Sequence, residues 1–157
     1  MSLLQTFRSI FASTPQVDMS GSWSGFYGFS EDYPELVRNQ KVNFDAMIEQ
    51  QSQGTFTGTI KEDENGIPEQ AEISGVIKGM HISFTKTYKS AYQIDAKGTI
   101  EKMPYGPHHV IYDGIYDQSK SKFVGAWIID AVYTLQSGKE VRHVSRGKWE
   151  MTKSGAS

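Results

Sequence analysis

The chain has no cysteine, almost no net charge and no long apolar run. Its 157 residues carry 16 basic against 18 acidic side chains, a formal net charge of −2. Without cysteine the protein has no disulfides or thiolate metal sites, although this does not decide its compartment. Without a basic run it lacks the electrostatic footprint of nucleic-acid binding. No stretch is long and apolar enough to span a bilayer, so we expect neither nucleic-acid partners nor a membrane span.

The first 14 residues place apolar side chains at helical spacing, which predicts a short amphipathic helix packed on the domain. Read as a signal peptide, the segment has a short apolar region interrupted by Arg8, so we expect a cytoplasmic protein. A helix lying on a membrane surface is the alternative. The predicted organisation is an N-terminal extension over residues 1–18, one domain over 19–153 and a tail over 154–157.

Glycine recurs between two large apolar or aromatic residues that share one face of a strand. Alternate residues of a strand face the same side, and a glycine there permits the sharp coiling of a small closed barrel. With 15 glycines and 12% aromatic residues, the composition fits an all-β protein. The five copies are Trp23-Ser24-Gly25-Phe26-Tyr27, Phe56-Thr57-Gly58-Thr59-Ile60, Ile73-Ser74-Gly75-Val76-Ile77, Tyr112-Asp113-Gly114-Ile115-Tyr116 and Phe123-Val124-Gly125-Ala126-Trp127.

Alternation of apolar and polar residues predicts eight strands joined by connections that are alternately long and short. An up-and-down meander places all the long loops at one end of the barrel. We therefore predict an all-β fold, an eight-stranded antiparallel up-and-down β-barrel with a short N-terminal helix and one loop-rich mouth. Its strands are Gly21–Phe29, Gln40–Glu49, Thr55–Lys61, Ala71–Lys78, Met80–Tyr88, His109–Asp117, Lys122–Asp130 and Arg142–Thr152.

Short motifs along this pattern resemble those of the avidin and streptavidin family. Gly21-Ser22-Trp23 is similar to the Gly-x-Trp opening of calycin barrels, which also include the lipocalins. Gly54–Thr59 resembles the avidin third strand, and Tyr112–Tyr116 and Trp127–Ile129 resemble the tryptophan-bearing strands of that family. The resemblance covers about residues 21–152 and implies a small-ligand-binding barrel.

The resemblance implies an aromatic pocket without the family's biotin-binding polar groups. The tryptophans that stack on biotin fall on Phe84, Tyr112 and Trp127. Positions that hold the ureido carbonyl fall on Gly25, Phe29 and Ile60, which offer no side-chain hydroxyl or amide donor. Those that bind the carboxylate fall on His108 and Val110 instead of serine and threonine. Buried ligand groups left unpaired cost several kcal/mol, about 1–3 each, so biotin is not the expected ligand.

Two residues are candidates for a polar rim around this pocket. Lys86 shares the inward face of Phe84 and Tyr88, where it would either meet an anionic ligand such as a carboxylate or reach out to water. His108 precedes a strand near the same end and offers a proton donor or acceptor. The acidic run over residues 61–66 is interpreted as a solvated turn. No spacing indicates a metal site, and no cofactor is expected.

The leading hypothesis is a binding protein for a small, partly apolar ligand, with Phe84, Tyr112 and Trp127 as walls and Lys86 and His108 as rim. A barrel filled by its own side chains, acting as an interaction or structural module, is the second. An acid–base enzyme that uses His, Tyr and Lys at the mouth is the third and the less favoured. Apolar residues on the outward face also predict a homo-oligomer, chiefly Val76, Ile111, Ile115, Val124 and Ile128.

Overall fold

The computed structural model describes residues 17–154, which form a closed antiparallel barrel of eight strands. This confirms the predicted fold class. The predicted helix over residues 1–14 lies outside the described residues. The barrel strands are β1 (Gly21–Gly28), β2 (Lys41–Gln50), β3 (Thr55–Glu62), β4 (Ala71–Lys78), β5 (His81–Tyr88), β8 (His108–Asp117), β9 (Lys122–Thr134) and β10 (Glu140–Lys153).

The barrel strands pair in chain order, and β1 closes the barrel against β10. Tight connections over residues 51–54, 79–80 and 118–121 lie at one end. The longer connections, over 29–40, 63–70, 89–107 and 135–139, lie at the other, which we call the mouth. Among the described residues, no helix is long and apolar enough to cross a membrane.

Three details of the mouth differ from the sequence prediction. The segment expected as a long loop between residues 89 and 108 contains a separate hairpin, β6 (Tyr92–Ile94) paired with β7 (Ile100–Lys102). The segment expected as a loop over 131–141 is mostly strand, because β9 and β10 continue their pairing to Thr134 and Glu140. A one-turn helix, α1 (Glu35–Arg38), occupies the connection between β1 and β2.

The half of the barrel nearer the tight turns is filled by its own aromatic side chains. Phe84 is 2% exposed and stacks on Tyr112 with ring centroids 4.7 Å apart and planes 15° from parallel. Trp149 meets both of these rings edge-on at 5.5 Å. Such offset and edge-to-face contacts are the favoured geometries of aromatic pairs. The filled half therefore forms a rigid base beneath whatever lies at the mouth.

The repeated glycines lie where neighbouring strands approach most closely. Gly114 and Gly125 are partners in the β8–β9 ladder. A Cβ on Gly125 would lie 1.9 Å from the backbone oxygen of Asp113 and 2.6 Å from the Cα of Gly114. Since no side chain fits these gaps, the repeat found in the sequence marks close inter-strand contacts.

We predict that Gly125→Ala lowers the free energy of unfolding by about 1–3 kcal/mol, because its methyl group overpacks the β8–β9 ladder. Gly28→Ala is the matched control, since the nearest atom to its Cβ is 3.9 Å away and the residue also lies in a strand. Urea unfolding of both variants measures the difference. Equal stability of the two would show that the close approach at Gly125 has no energetic consequence.

Candidate functional site

A cavity of about 430 Å³ lies at the mouth of the barrel, above the filled half. This volume falls within the range of small-molecule pockets, about 300–1,000 Å³. Most of its wall is aromatic or aliphatic, with a few polar side chains between. The lining residues are Tyr27, Phe29, Tyr33, Ile67, Lys86, Tyr88, Tyr92, Gln93, Ile94, His108, Val110, Tyr112, Trp127, Ile129, Val141, His143 and Ser145.

The floor of this cavity contains an ion pair that is almost completely shielded from water. The Nζ of Lys86 lies 3.3 Å from Oε2 of Glu62, and the two side chains are 2% and 0% exposed. Lys86 lines the cavity whereas Glu62 does not, so the carboxylate lies behind the ammonium group as seen from the cavity. Two buried charges of this kind persist only when each compensates the other and further hydrogen bonds are made.

Glu62 receives those further hydrogen bonds from three neighbouring elements. The hydroxyl of Tyr27 donates to Oε1 and that of Tyr88 to Oε2. The backbone N–H of Ile67, in the loop after β3, donates to Oε1 at 3.1 Å. With the Lys86 ammonium this makes four donors, which is the full capacity of a carboxylate. Glu62 is therefore saturated by the protein itself.

Lys86 is held in a cage of tyrosine rings. Its Nζ lies 4.5, 5.1 and 4.9 Å from the ring centroids of Tyr27, Tyr88 and Tyr112. It also donates a hydrogen bond to the hydroxyl of Tyr112 at 2.9 Å. A cation over an aromatic face is worth about 2 kcal/mol or more when both are desolvated. The cage thus replaces part of the hydration that the ammonium group loses on burial.

Burial governs the ionisation of the cluster. Burial lowers the pKa of the Lys86 ammonium, and the Glu62 charge opposes this effect. Burial also raises the pKa of Tyr27, Tyr88 and Tyr112 well above its usual value, so all three phenols are neutral at physiological pH. The phenols therefore keep their protons and can donate hydrogen bonds.

Histidine and serine supply the polar groups nearer the opening. The ring of His108 stacks on Tyr88, with centroids 6.1 Å apart and planes 21° from parallel. Burial lowers the pKa of His108, and the positive charges of His109 and Lys86 act in the same direction. Across the cavity lining, the hydroxyl of Ser145 lies 2.8 Å from Nε2 of His143. Within residues 17–154, no group of three or more His, Asp or Glu side chains could hold a metal ion.

A second glutamate connects the loop after β3 to the hairpin at the mouth. Glu69 accepts hydrogen bonds through Oε1 from the backbone N–H groups of Lys89 and Ser90, the latter at 3.3 Å. The Tyr92 hydroxyl donates to its Oε2 at 3.2 Å. Tyr92 belongs to β6 and lines the cavity. The loop that supplies Ile67 to the floor therefore also positions part of the wall.

The structure brings four of the five sequence-predicted site residues to the cavity. Lys86, His108, Tyr112 and Trp127 line it, whereas Phe84 lies beneath Tyr112 in the filled half. Lys86 does not reach out to water, the alternative considered from the sequence. His109 faces away from the cavity and pairs with Thr87 at 2.9 Å.

The interpretation of residues 61–66 as a solvated turn is wrong for Glu62, whose side chain is fully buried. Glu62 is the last residue of β3, on the inward face with Phe56 and Ile60. The same alternation places Tyr27 two residues after Gly25 and Tyr88 two residues after Lys86. Tyr27 and Tyr88 thus already lie within predicted strands, and extending the predicted third strand from Lys61 by one residue would have placed Glu62 on the inward face with them.

The structure is a closed eight-stranded antiparallel barrel open at a loop-rich mouth, the architecture that the sequence motifs predicted. Among solved structures the chain is similar to rhizavidin, with a TM-score of 0.47 and 11% sequence identity over 87% of this chain and 85% of that one. No protein-family model matches the chain. No curated protein matches it in sequence.

We predict that Glu62→Gln and Lys86→Met each lower the free energy of unfolding by about 3–5 kcal/mol, because each leaves the other charge buried without its partner. The double variant should lose much less free energy of unfolding than the two single variants lose together, because it leaves no unpaired charge. Denaturant unfolding of the wild type and the three variants gives the coupling energy. The same cycle on the exposed pair Arg142 and Asp130 is the control and should give far weaker coupling. If the losses of the Glu62 and Lys86 variants simply add, the two residues do not form a coupled buried ion pair.

Proposed function

We propose that the protein binds a small, partly apolar, uncharged ligand in the cavity at the mouth, through an acceptor group such as a carbonyl or hydroxyl. The single observation that carries this proposal is the hydrogen bonding of Lys86. Its ammonium group has three donors, of which one is directed to Glu62 and one to Tyr112. No third acceptor for it occurs among the hydrogen bonds of residues 17–154.

The charge balance of the floor favours an uncharged ligand over the anionic one considered from the sequence. The carboxylate of Glu62 already compensates Lys86 at 3.3 Å. A ligand carboxylate would have to lose its hydration and approach a cation whose charge is already neutralised, with Glu62 behind it. A neutral oxygen atom would instead accept the free N–H at little desolvation cost, while its apolar part contacts Trp127 and Phe29.

Two matched probes test this selectivity. We expect 2-naphthylmethanol to bind at least tenfold more tightly than 2-naphthoate, a difference of about 1.4 kcal/mol or more. Isothermal titration calorimetry of both compounds at pH 7 measures it. Tighter binding of the carboxylate would restore the anionic-ligand hypothesis, and binding of neither compound would contradict the proposed function at this ligand size.

A steric variant locates the binding. Ile129→Trp fills part of the cavity that Ile129 lines, so we expect it to abolish the heat of binding of 2-naphthylmethanol in calorimetry. Val132→Trp is the control on the same strand, since Val132 is 61% exposed and does not line the cavity. Equal binding by the two variants would place the ligand elsewhere. Native mass spectrometry of the untreated protein would reveal any ligand that co-purifies.

A self-filled interaction module fits these observations less well, because only the half of the barrel near the tight turns is filled. The acid–base enzyme, the third hypothesis from the sequence, therefore becomes the second candidate. The specific observation in its favour is a buried lysine within hydrogen-bonding distance of both a carboxylate and a phenol at the floor of a cavity.

We also propose that the protein forms a homo-oligomer through the outward face of β8 and β9. Ile111 pairs with Ile128 and Ile115 with Val124, so four apolar side chains lie on one face, with Asp113 and Ala126 between the two pairs. Each of these is between 37% and 59% exposed. Exposed apolar patches on a soluble domain commonly mark protein–protein contacts.

Sedimentation velocity tests this association. The wild type should sediment as a dimer or larger species, and Ile115→Lys should shift it to the monomer, because a lysine would be buried without a partner. Thr59→Lys, on another outward face of the barrel, is the control. A monomeric wild type would contradict the proposal.

A further inference from the structure

The cavity floor combines three chemically complementary groups around one amine. Lys86 supplies a primary amine, Glu62 a carboxylate 3.3 Å from its Nζ, and Tyr112 a phenol whose oxygen is 2.9 Å from it. Lys86 and Tyr112 both line the cavity, and their amine and phenol are hydrogen-bonded to each other, so a ligand that reaches one of the two groups also reaches the other. The carboxylate lies behind them, in a position to exchange a proton with the amine.

We propose that Lys86 captures an aldehyde or ketone ligand covalently, as a protonated imine held against Glu62. This inference rests on the proposed function, since the ligand must first enter the cavity. It narrows the uncharged acceptor group to a reactive carbonyl. The apolar wall formed by Trp127, Phe29 and Ile129 selects carbonyl compounds with an aromatic or branched aliphatic body.

The steps balance without any oxidant or reductant. The Lys86 ammonium first gives one proton to Glu62, and the neutral amine attacks the carbonyl carbon. A C–N bond forms as the carbonyl π pair moves to oxygen, which takes a proton from Tyr112, and the phenolate regains one from the nitrogen. Tyr112 then gives its proton to the carbinolamine hydroxyl, water leaves as the C=N bond forms, and the proton held by Glu62 passes through the nitrogen to restore the Tyr112 phenol. The net change converts an ammonium ion and a carbonyl into an iminium ion and water.

The buried cluster suits this reaction because it conserves the charge pattern. The floor begins with one cation beside the Glu62 carboxylate and ends with one cation at the same nitrogen. The iminium N–H still donates to the carboxylate, so no buried charge is left unpaired at the end. Burial also lowers the pKa of Lys86, which makes the neutral amine more accessible than that of an exposed lysine.

Reductive trapping on the intact protein tests the proposal. The wild type is incubated with 2-naphthaldehyde and sodium cyanoborohydride at pH 7, and peptide mapping by mass spectrometry locates the naphthylmethyl group. We expect modification of Lys86 at least tenfold faster than of the exposed Lys78 and Lys120. Glu62→Gln and Tyr112→Phe, if folded by circular dichroism, should slow trapping at Lys86 by about 10²-fold, as loss of a proton-transfer group does. Lys78→Arg is the matched control and should trap at Lys86 at the wild-type rate.

The outcomes separate this inference from the proposed function. If 2-naphthylmethanol binds in calorimetry but 2-naphthaldehyde labels only exposed lysines, covalent capture is overturned and reversible binding stands. If neither compound engages the cavity, both proposals fail. Selective labelling of Lys86 that 2-naphthylmethanol suppresses by competition supports both.

Discussion

The buried ion pair of Lys86 and Glu62 is the interaction on which the mouth of the barrel depends. A charge this deep in an apolar interior is tolerated only when it is compensated and hydrogen-bonded. Here the compensating hydrogen bonds to Glu62 come from Tyr27 in β1, Tyr88 in β5 and the backbone N–H of Ile67 in the loop after β3. One electrostatic requirement thus fixes side chains from separate strands and one mouth loop in a common arrangement.

The pair also marks the boundary between two halves with different roles. Below it, the rings of Phe84 and Trp149 pack against each other and against Tyr112, which itself lines the cavity. Above it, the β6–β7 hairpin and the ends of β9 and β10 surround an open cavity of about 430 Å³. Because the charges of Lys86 and Glu62 compensate each other, the chemistry available to a ligand is set by hydrogen-bond donors and aromatic faces.

The fold could be predicted from sequence because period-two alternation and the glycine repeat are local patterns with one simple interpretation. The site was predictable only in part. Alternation placed Lys86 on the inward face, and the resemblance to the avidin family placed Phe84, Tyr112 and Trp127 at the wall. Neither gave the depth along the strand, so Phe84 was assigned to the wall rather than to the layer beneath it. Glu62 was missed because an acidic residue next to Asp63 and Glu64 is typical of a solvated turn. Its burial depends on a cation from β5, a long-range contact that no local pattern shows.

The most direct test of the central claim is the ¹⁵N resonance of the Lys86 side chain, assigned by comparing the wild type with Lys86→Arg. The account predicts an ammonium signal whose protons exchange slowly with water, because the group is shielded and hydrogen-bonded to Glu62 and Tyr112. That signal should shift when 2-naphthylmethanol is added, while those of exposed lysines such as Lys78 stay unchanged. A Lys86 signal that exchanges as fast as the exposed lysines and does not respond to the compound would contradict both the buried pair and its place at a binding site.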